Sequence, residues 1–189
     1  RVKFYSAQAA VYLSLYQGPL AGNDIRGSTT ISANTWYHVA WVSTDTAYAL
    51  YLNGVAETLT AVTGSNNGNW FADATPGETD RTLIGVRLVN AGLERYFDAF
   101  VTDVRIYERA LSATEVLALS SSRLKYFTMT GAAPLDYWPM DDGNDGTSAD
   151  GDTVVGRVGA NNGTGVDGAN NTGLAWRGET YLSYPGQVP

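Results

Sequence analysis

Short runs in which apolar residues alternate with other side chains, each closed by Gly, Asn or Asp, recur along this chain. They constrain its fold more than any other feature, because a period of two puts successive side chains on opposite faces of an extended strand. Within 10–16, Val11, Leu13 and Leu15 alternate with Tyr12, Ser14 and Tyr16. Residues 47–52 (Ala-Tyr-Ala-Leu-Tyr-Leu) run into Asn53-Gly54 and then into 55–59. Asn-Gly between two such runs marks a β-hairpin, since both turn residues tolerate positive φ. Over 36–43 both faces are apolar (Trp36, His38, Ala40 and Val42; Tyr37, Val39 and Trp41), which predicts a central strand of a two-layer structure. Further strands are expected over 2–5, over 82–88 with Gly85 as a candidate bulge, and over 97–107 with Phe100, Val104 and Ile106 on one face. Others are expected over 124–130, over 135–140 with Pro139 favouring an edge, and within 176–184. Gly18-Pro19 and Gly22-Asn23-Asp24 read as turns, and 63–80 and 141–173 as long loops. One short helix stands out. Ser112 as N-cap and Glu115 three residues on form a capping box, Leu111 and Val116 can staple it, and it ends near Ser120. Many short strands with a single helix predict an all-β fold, a two-sheet antiparallel β-sandwich.

Composition narrows the partners. The 189 residues carry 12 Lys+Arg against 19 Asp+Glu, a net charge of −7, which excludes a phosphate backbone as the main partner. The charge is uneven: residues 1–131 hold 10 basic and 11 acidic side chains (−1), and residues 132–189 hold 2 basic and 8 acidic (−6) with 11 of the 21 Gly. This divides the chain into a near-neutral body, 1–122, and an acidic Gly/Asn-rich extension, 123–189. With no Cys in the chain, disulfides, thiolate zinc sites and Cys nucleophiles are excluded, and the single His38 rules out a multi-His metal cluster. No apolar run approaches the roughly 20 residues that span a bilayer. The chain starts at Arg1, which fits a processed product, a fragment or part of something longer.

Asn34-Thr35-Trp36-Tyr37-His38-Val39-Ala40 followed by Leu50-Tyr51-Leu52-Asn53-Gly54 resembles the laminin-G-like, or concanavalin A-like, jelly roll, with its Trp-x-His-Val-Ala strand and aromatic strand ending in Asn-Gly. Leu83-Ile84-Gly85, Tyr96-Phe97-Asp98, Asp103-Val104-Arg105-Ile106-Tyr107 and Arg109 to Val116 resemble, in family order, its penultimate strand and closing helical turn. The resemblance covers about 30–119. It departs from the family in one respect: Leu135-Asp136-Tyr137-Trp138-Pro139-Met140-Asp141-Asp142-Gly143 carries the family's opening signature but lies after the helix. That segment is expected to open a truncated second copy, to complete this sandwich, or to complete a neighbouring subunit by strand exchange. A looser likeness is to phage and bacterial surface proteins, where a similar tail follows the jelly roll.

The candidate sites divide by chemistry. Related glucanases carry Glu-x-Asp-x-x-Glu on one strand. Here the nearest match, Glu78-Thr79-Asp80-Arg81-Thr82-Leu83, has Leu83 in place of the third acid and lies beside Pro76-Gly77, so no catalytic residue is expected and the chain reads as no enzyme. His38 reads as a structural residue of its strand before it reads as a general base, and a Ser-His-Asp triad would need this same His. Trp70-Phe71, with Asn67, Asn69 and Asp73 in the same loop, can stack a sugar ring and reach its hydroxyls; equally, Trp70 can fold back as a lid on the sandwich edge. Asp141, Asp142, Asp145 and Asp150 supply oxygen ligands for calcium, with Asp152 nearby. The simpler reading is a solvated acidic loop, and an EF-hand frame fails because Gly143 replaces a ligand and no Glu closes the loop. Family likeness also implies one calcium held at a loop rim by an Asp and backbone carbonyls. Asp98 and Asp103 read as loop ties first and metal ligands second, and Asn162-Gly163-Thr164 and Asn170-Asn171-Thr172 match glycosylation acceptors.

The expectation from these readings is a non-enzymatic, lectin-like or adhesion module, extracellular or on a cell or virion surface, that binds a glycan or a protein through sandwich-edge loops. The alternative is a virion or surface-layer structural protein whose extension mediates subunit assembly as a homo-oligomer. Fold likeness alone does not choose between them.

Overall fold

The computed structural model describes residues 2–5, 10–15, 22–69, 84, 87–89, 92–94, 100–121, 133–140, 148, 150–159 and 161–165. The expected strands at 124–130 and 176–184, and the bulge at Gly85, lie outside these residues. Two compact units are present: Arg1–Asp80 with Ala110–Arg123 and Ser183–Pro189, and Arg81–Arg109 with Leu124–Leu182.

Among its described residues the first unit holds two antiparallel sheets. β1 (Val2–Tyr5), β2 (Ala10–Leu15), β3 (Asn23–Arg26) and β7 (Thr60–Thr63) form one in the order β1-β2-β3-β7. β4 (Val39–Ser43), β5 (Tyr48–Leu52) and β6 (Val55–Ala56) form the other in the order β4-β5-β6. The core joins the two sheets. Val11 from β2 clusters with Leu50 and Leu52 from β5, and Leu13 and Ile25 cluster with Tyr48; Trp41 and Leu59 pack against both groups. Alternation on β5 therefore buries Tyr48, Leu50 and Leu52 while Ala49 and Tyr51 are half-exposed, as a period of two requires. The all-β sandwich expected from the sequence is the fold observed.

The Asn53-Gly54 turn forms as its chemistry dictates, with φ of 50° and 79°. Asn53 also sets where β4 begins. Its N–H donates to the His38 carbonyl (2.8 Å) and its Oδ1 accepts from the His38 N–H (2.8 Å). A side-chain amide thus replaces a ladder partner, and regular pairing starts at Val39, later than the Trp36 the sequence suggests. Among the described residues β4 pairs with β5 alone and stands at the end of its sheet, where a central position was expected. Gly54 is also tightly enclosed: a Cβ there would lie 2.5 Å from Ser120 Oγ and 3.1 Å from Leu117 Cα. Both neighbours belong to α1 (Ala113–Ser121), so the turn seats the helix. Its capping box is complete, with Ser112 N–H donating to Glu115 Oε2 (2.8 Å) and Glu115 N–H to Ser112 Oγ (3.3 Å). Leu111 and Val116, the staple positions, are both buried.

Beyond Ala56 the expected strand stops. Glu57 N–H donates to Leu50 O (2.8 Å), and the chain then crosses to the other sheet as β7, a strand the sequence did not announce. The Glu57 carboxylate clamps the crossing by accepting Thr29 N–H and Oγ1–H (both 2.6 Å) and Ser28 Oγ–H (3.2 Å). β3 is a second correction. Gly22-Asn23-Asp24 has turn chemistry, yet Ile25 is fully buried and Asp24 accepts the Ser14 hydroxyl across the β2–β3 pair, so a strand forms there.

The second unit contains β8 (Arg87–Val89) paired with β9 (Gly92–Glu94), β10 (Val104–Ile106) paired with β11 (Asp136–Trp138), and β12 (Thr153–Val154) paired with β13 (Gly163–Thr164). β10 is shorter than the expected 97–107 strand because Asp103 adopts φ 58°, which breaks extension, and Phe100 is exposed. The opening-type segment pairs antiparallel with β10 of its own chain, Val104 opposite Trp138 and Ile106 opposite Asp136. Leu135 N–H to Ile106 O (2.7 Å) extends that ladder.

Candidate functional site

The loop that leads to Trp70 is built from amide side chains. Asn66 Oδ1 accepts the Tyr48 N–H, and its Nδ2 donates to Tyr48 O (3.3 Å), as a neighbouring strand would. Asn67 Oδ1 accepts from Asn23 Nδ2 (2.9 Å), lies 3.0 Å from the Tyr48 hydroxyl and receives Asn69 N–H at 3.3 Å. The Tyr48 hydroxyl donates its one proton to Asn69 O (2.7 Å), and Asn23 Oδ1 accepts Ser65 N–H (3.0 Å). Ser43 Oγ donates to Gly68 O. Gly68 is buried at φ 73°, and a Cβ would sit 2.4 Å from Ala47 N, so this close approach of loop to strand end demands glycine. Residues 64–69 are thereby fixed to β3, β4 and β5 at once. The anchors Asn23, Ser43, Tyr48 and Asn66 were not singled out in the sequence. The signal was the Asn66-Asn67-Gly68-Asn69 run, whose residue types hydrogen-bond backbone readily.

Of the expected ligand-contact residues, Asn67 and Asn69 belong to this loop. The carbonyl oxygen of the Asn67 side chain is engaged inside it, and Asn69 contributes through its backbone. Trp70 and Phe71 follow directly in the chain and, with Asp73, lie outside the described residues. So do Asp141, Asp142 and Asp145 of the acidic loop, as well as Glu78, Asp80, Asp98 and Asn170. Asp150 is described: it is exposed, and its N–H donates to Ser148 Oγ (3.2 Å). Among the described residues no group of three or more His, Cys, Asp or Glu side chains is placed to hold a metal ion. His38 is half-buried with both backbone polar groups engaged by Asn53. Asn162 Oδ1 accepts Gly156 N–H (3.0 Å) at an exposed position.

Asp103 lies in a second polar cluster. Arg105 Nη2 pairs with Asp103 Oδ1 at 2.8 Å, and the Arg105 guanidinium stacks 4.7 Å from the Tyr137 ring centroid. Burial raises the Asp103 pKa, and the Arg105 charge and hydrogen bonds offset this only in part. Burial pushes the Tyr137 hydroxyl up to about 12, with the Asp103 charge acting in the same direction. On Arg105 burial works toward neutrality, but Asp103 and the Tyr137 and Tyr107 hydroxyls outweigh it and the guanidinium stays charged. The cluster binds β11 to β10. A second tie runs from Trp138 Nε1 to Asn161 O (2.7 Å) and from Asn161 Nδ2 to the buried Asp136 Oδ1 (2.8 Å).

Comparison with known proteins places these elements in a family. A laminin-G family model, described as Concanavalin A-like lectin/glucanases superfamily, matches residues 2–117. No curated protein matches the chain. A solved structure similar to it is an S-layer domain-containing protein, residues 221–444, from Clostridium thermocellum ATCC 27405. Identity is 20%, the match covers 64% of this chain and 61% of that one, and the TM-score is 0.39.

Proposed function

The chain belongs to the concanavalin A-like lectin/glucanase superfamily, and from that premise we propose that it is a non-enzymatic module that binds a glycan at one edge of the sandwich. The observation that supports this reading is the loop 64–69, whose amides and Gly68 fix it to three strands immediately before Trp70-Phe71. Binding sites on this kind of scaffold sit on loops held by a rigid framework. A fixed approach lowers the ordering cost of presenting an aromatic face to a sugar ring. In this reading Asn67 and Asn69 position the platform, and Trp70, Phe71 and Asp73 supply the contact surface. The missing third acid at Leu83 favours binding over hydrolysis. An extracellular or surface location suits both the superfamily and the glycan. No helix among the described residues is long and apolar enough to cross a membrane.

The test is glycan-array binding by the full chain and by Trp70→Ala. Binding that disappears in the variant supports the reading. If wild type and variant are equally inert toward glycans, the reading fails, and the remaining roles are a protein partner or assembly into a surface layer or virion. Hydrolysis of β-glucans by the wild type would overturn its non-enzymatic part.

A further inference from the structure

Three Asn-Gly steps occur in the chain, Asn53-Gly54, Asn67-Gly68 and Asn162-Gly163, and all three lie among the described residues. Such a step is chemically fragile wherever it has room, because glycine offers its main-chain nitrogen to the preceding side chain with no Cβ in the way. Two of the three have no such room. Asn53 Oδ1 is held by the His38 N–H at 2.8 Å, and a Cβ on Gly54 would lie 2.5 Å from Ser120 Oγ. Asn67 Oδ1 is held by Asn23 Nδ2 at 2.9 Å, and a Cβ on Gly68 would lie 2.4 Å from Ala47 N. Each of these two turns also fixes its glycine at positive φ, 79° and 73°. Asn162-Gly163 is different. Both residues are exposed, and among the described residues the one neighbour of a Cβ on Gly163 would be Val154 Cβ, at 3.6 Å. The Asn162 side chain is held through Oδ1 by the Gly156 N–H (3.0 Å). β12 and β13 pair over two residues each, and so short a ladder opens locally at little cost.

We propose that Asn162 is a self-modification site, at which the folded chain converts this one asparagine to aspartate and isoaspartate. The Gly163 main-chain nitrogen attacks Asn162 Cγ. The N–Cγ bond forms, the Cγ–Nδ2 bond breaks, and ammonia leaves with the proton of the Gly163 amide. Water then adds to the cyclic imide and opens it at either carbonyl. Opening at Cγ returns the main chain as aspartate, and opening at the main-chain carbonyl leaves isoaspartate. Water is the only co-reactant, and a neutral amide becomes a carboxylate. Isoaspartate carries one more carbon in the main chain between 162 and 163. Gly163 and Thr164 then no longer fit the register that sets Val154 opposite Gly163 and Thr153 opposite Thr164. The site adjoins Asn161, whose carbonyl accepts the Trp138 indole N–H and whose side-chain amide donates to Asp136. Modification thus adds a negative charge beside the tie to β11 and undoes the β12–β13 pair, slowly and in one direction.

Incubation of the full chain in mildly alkaline buffer tests this, read by peptide mapping with mass spectrometry and by methyl transfer from an isoaspartyl methyltransferase. Asn162 is expected to convert at least about tenfold faster than Asn53 or Asn67, since those two must first open the fold and a barrier difference of about 1.4 kcal/mol already gives that ratio. In denaturant the three rates should converge, because the fold makes the choice. Gly163→Ala sets a methyl beside the attacking nitrogen, where the fold has room for it, and should slow conversion at Asn162 about tenfold. Asn162→Gln, whose ring closure is slower, serves the same purpose should Gly163→Ala misfold. Hydrogen exchange at 153–154 and 163–164 should rise as isoaspartate accumulates. An Asn162 that stays intact in the folded chain while converting in denaturant overturns the proposal. So does conversion of Asn53 or Asn67 as fast as Asn162 in the folded chain, or a rate at Asn162 that Gly163→Ala leaves unchanged with native circular dichroism.

Discussion

Asn67→Ala removes the acceptor on which the 64–69 loop converges. The full hydrogen bond is the one from Asn23 Nδ2 at 2.9 Å; the single Tyr48 hydroxyl proton goes to Asn69 O at 2.7 Å, so its 3.0 Å approach to Asn67 Oδ1 is the weaker contact, and Asn69 N–H at 3.3 Å is long. Tyr48 keeps its bond to Asn69 O at 2.7 Å, so its hydroxyl is not orphaned. Asn23 Nδ2 loses its acceptor at a half-buried position. At about 1 kcal/mol for the one full hydrogen bond lost, the cost is about 1 kcal/mol. For a chain of this size that lowers Tm by about 2–4 °C. Thermal unfolding followed by far-UV circular dichroism measures it. Asn67→Asp is the informative control: a carboxylate accepts from the same donors, so most of the stability should remain. Hydrogen exchange at 64–69 should rise in Asn67→Ala, and glycan affinity should fall with Trp70 intact. If Asn67→Ala unfolds at the wild-type temperature with unchanged exchange at 64–69, the loop is not held by its amides and the reasoning fails.

Three further substitutions test the frame around the site. Gly54→Ala must take φ 79° and place a Cβ 2.5 Å from Ser120 Oγ and 3.1 Å from a helix backbone atom; a loss of about 2 kcal/mol is expected in urea unfolding. Ser112→Ala breaks the capping box and should cost about 1 kcal/mol in the same assay, with Ser112→Asp restoring it. On Glu57 partial burial works to raise the pKa, but the hydrogen bonds from Thr29 and Ser28 outweigh it, and folding holds the carboxyl below its ordinary value. Its contribution is therefore present above the ordinary glutamate pKa and lost as pH falls through the folded value. Glu57→Gln should lower Tm at neutral pH, leave it almost unchanged at the acid end, and so flatten the acid limb of the Tm–pH curve.

The elements readable from sequence were those whose determinants are local. The β5 alternation, the Asn53-Gly54 turn and the Ser112–Glu115 box each lie within a few residues of chain, and each formed as expected. The elements misread depend on distant partners. β3 carries turn residues, and it is a strand because Ser14, ten positions away, bonds Asp24 while Ile25 fills the core. β7 is four residues long and ends at a glycine, so it presents too little alternation to see. The 97–107 run has strand composition throughout, yet one positive φ at Asp103 cuts it short. The site divides in the same way. That 66–69 is a loop follows from its Asn and Gly, whereas its attachment to Asn23, 44 positions from Asn67, follows only from the fold.

The return of β11 to β10 turns on side chains more than on the ladder. Twenty-nine residues separate Ile106 from Asp136, and closing such a loop costs about 3 kcal/mol in chain entropy. Three paired residues supply a few backbone hydrogen bonds at about 1 kcal/mol each, which roughly cancels that cost and leaves nothing for fixing the strand. Tyr137 and Trp138 change the balance. They are 4% and 8% exposed, and burying two aromatic side chains is worth several kcal/mol even after allowance for a compact unfolded chain. Arg105 adds a cation over the Tyr137 ring, and Asn161 satisfies the Trp138 indole N–H, so neither ring is buried at the expense of a polar group. β11 is thus held to β10 by two aromatic residues next to one arginine, more than by its three-residue ladder.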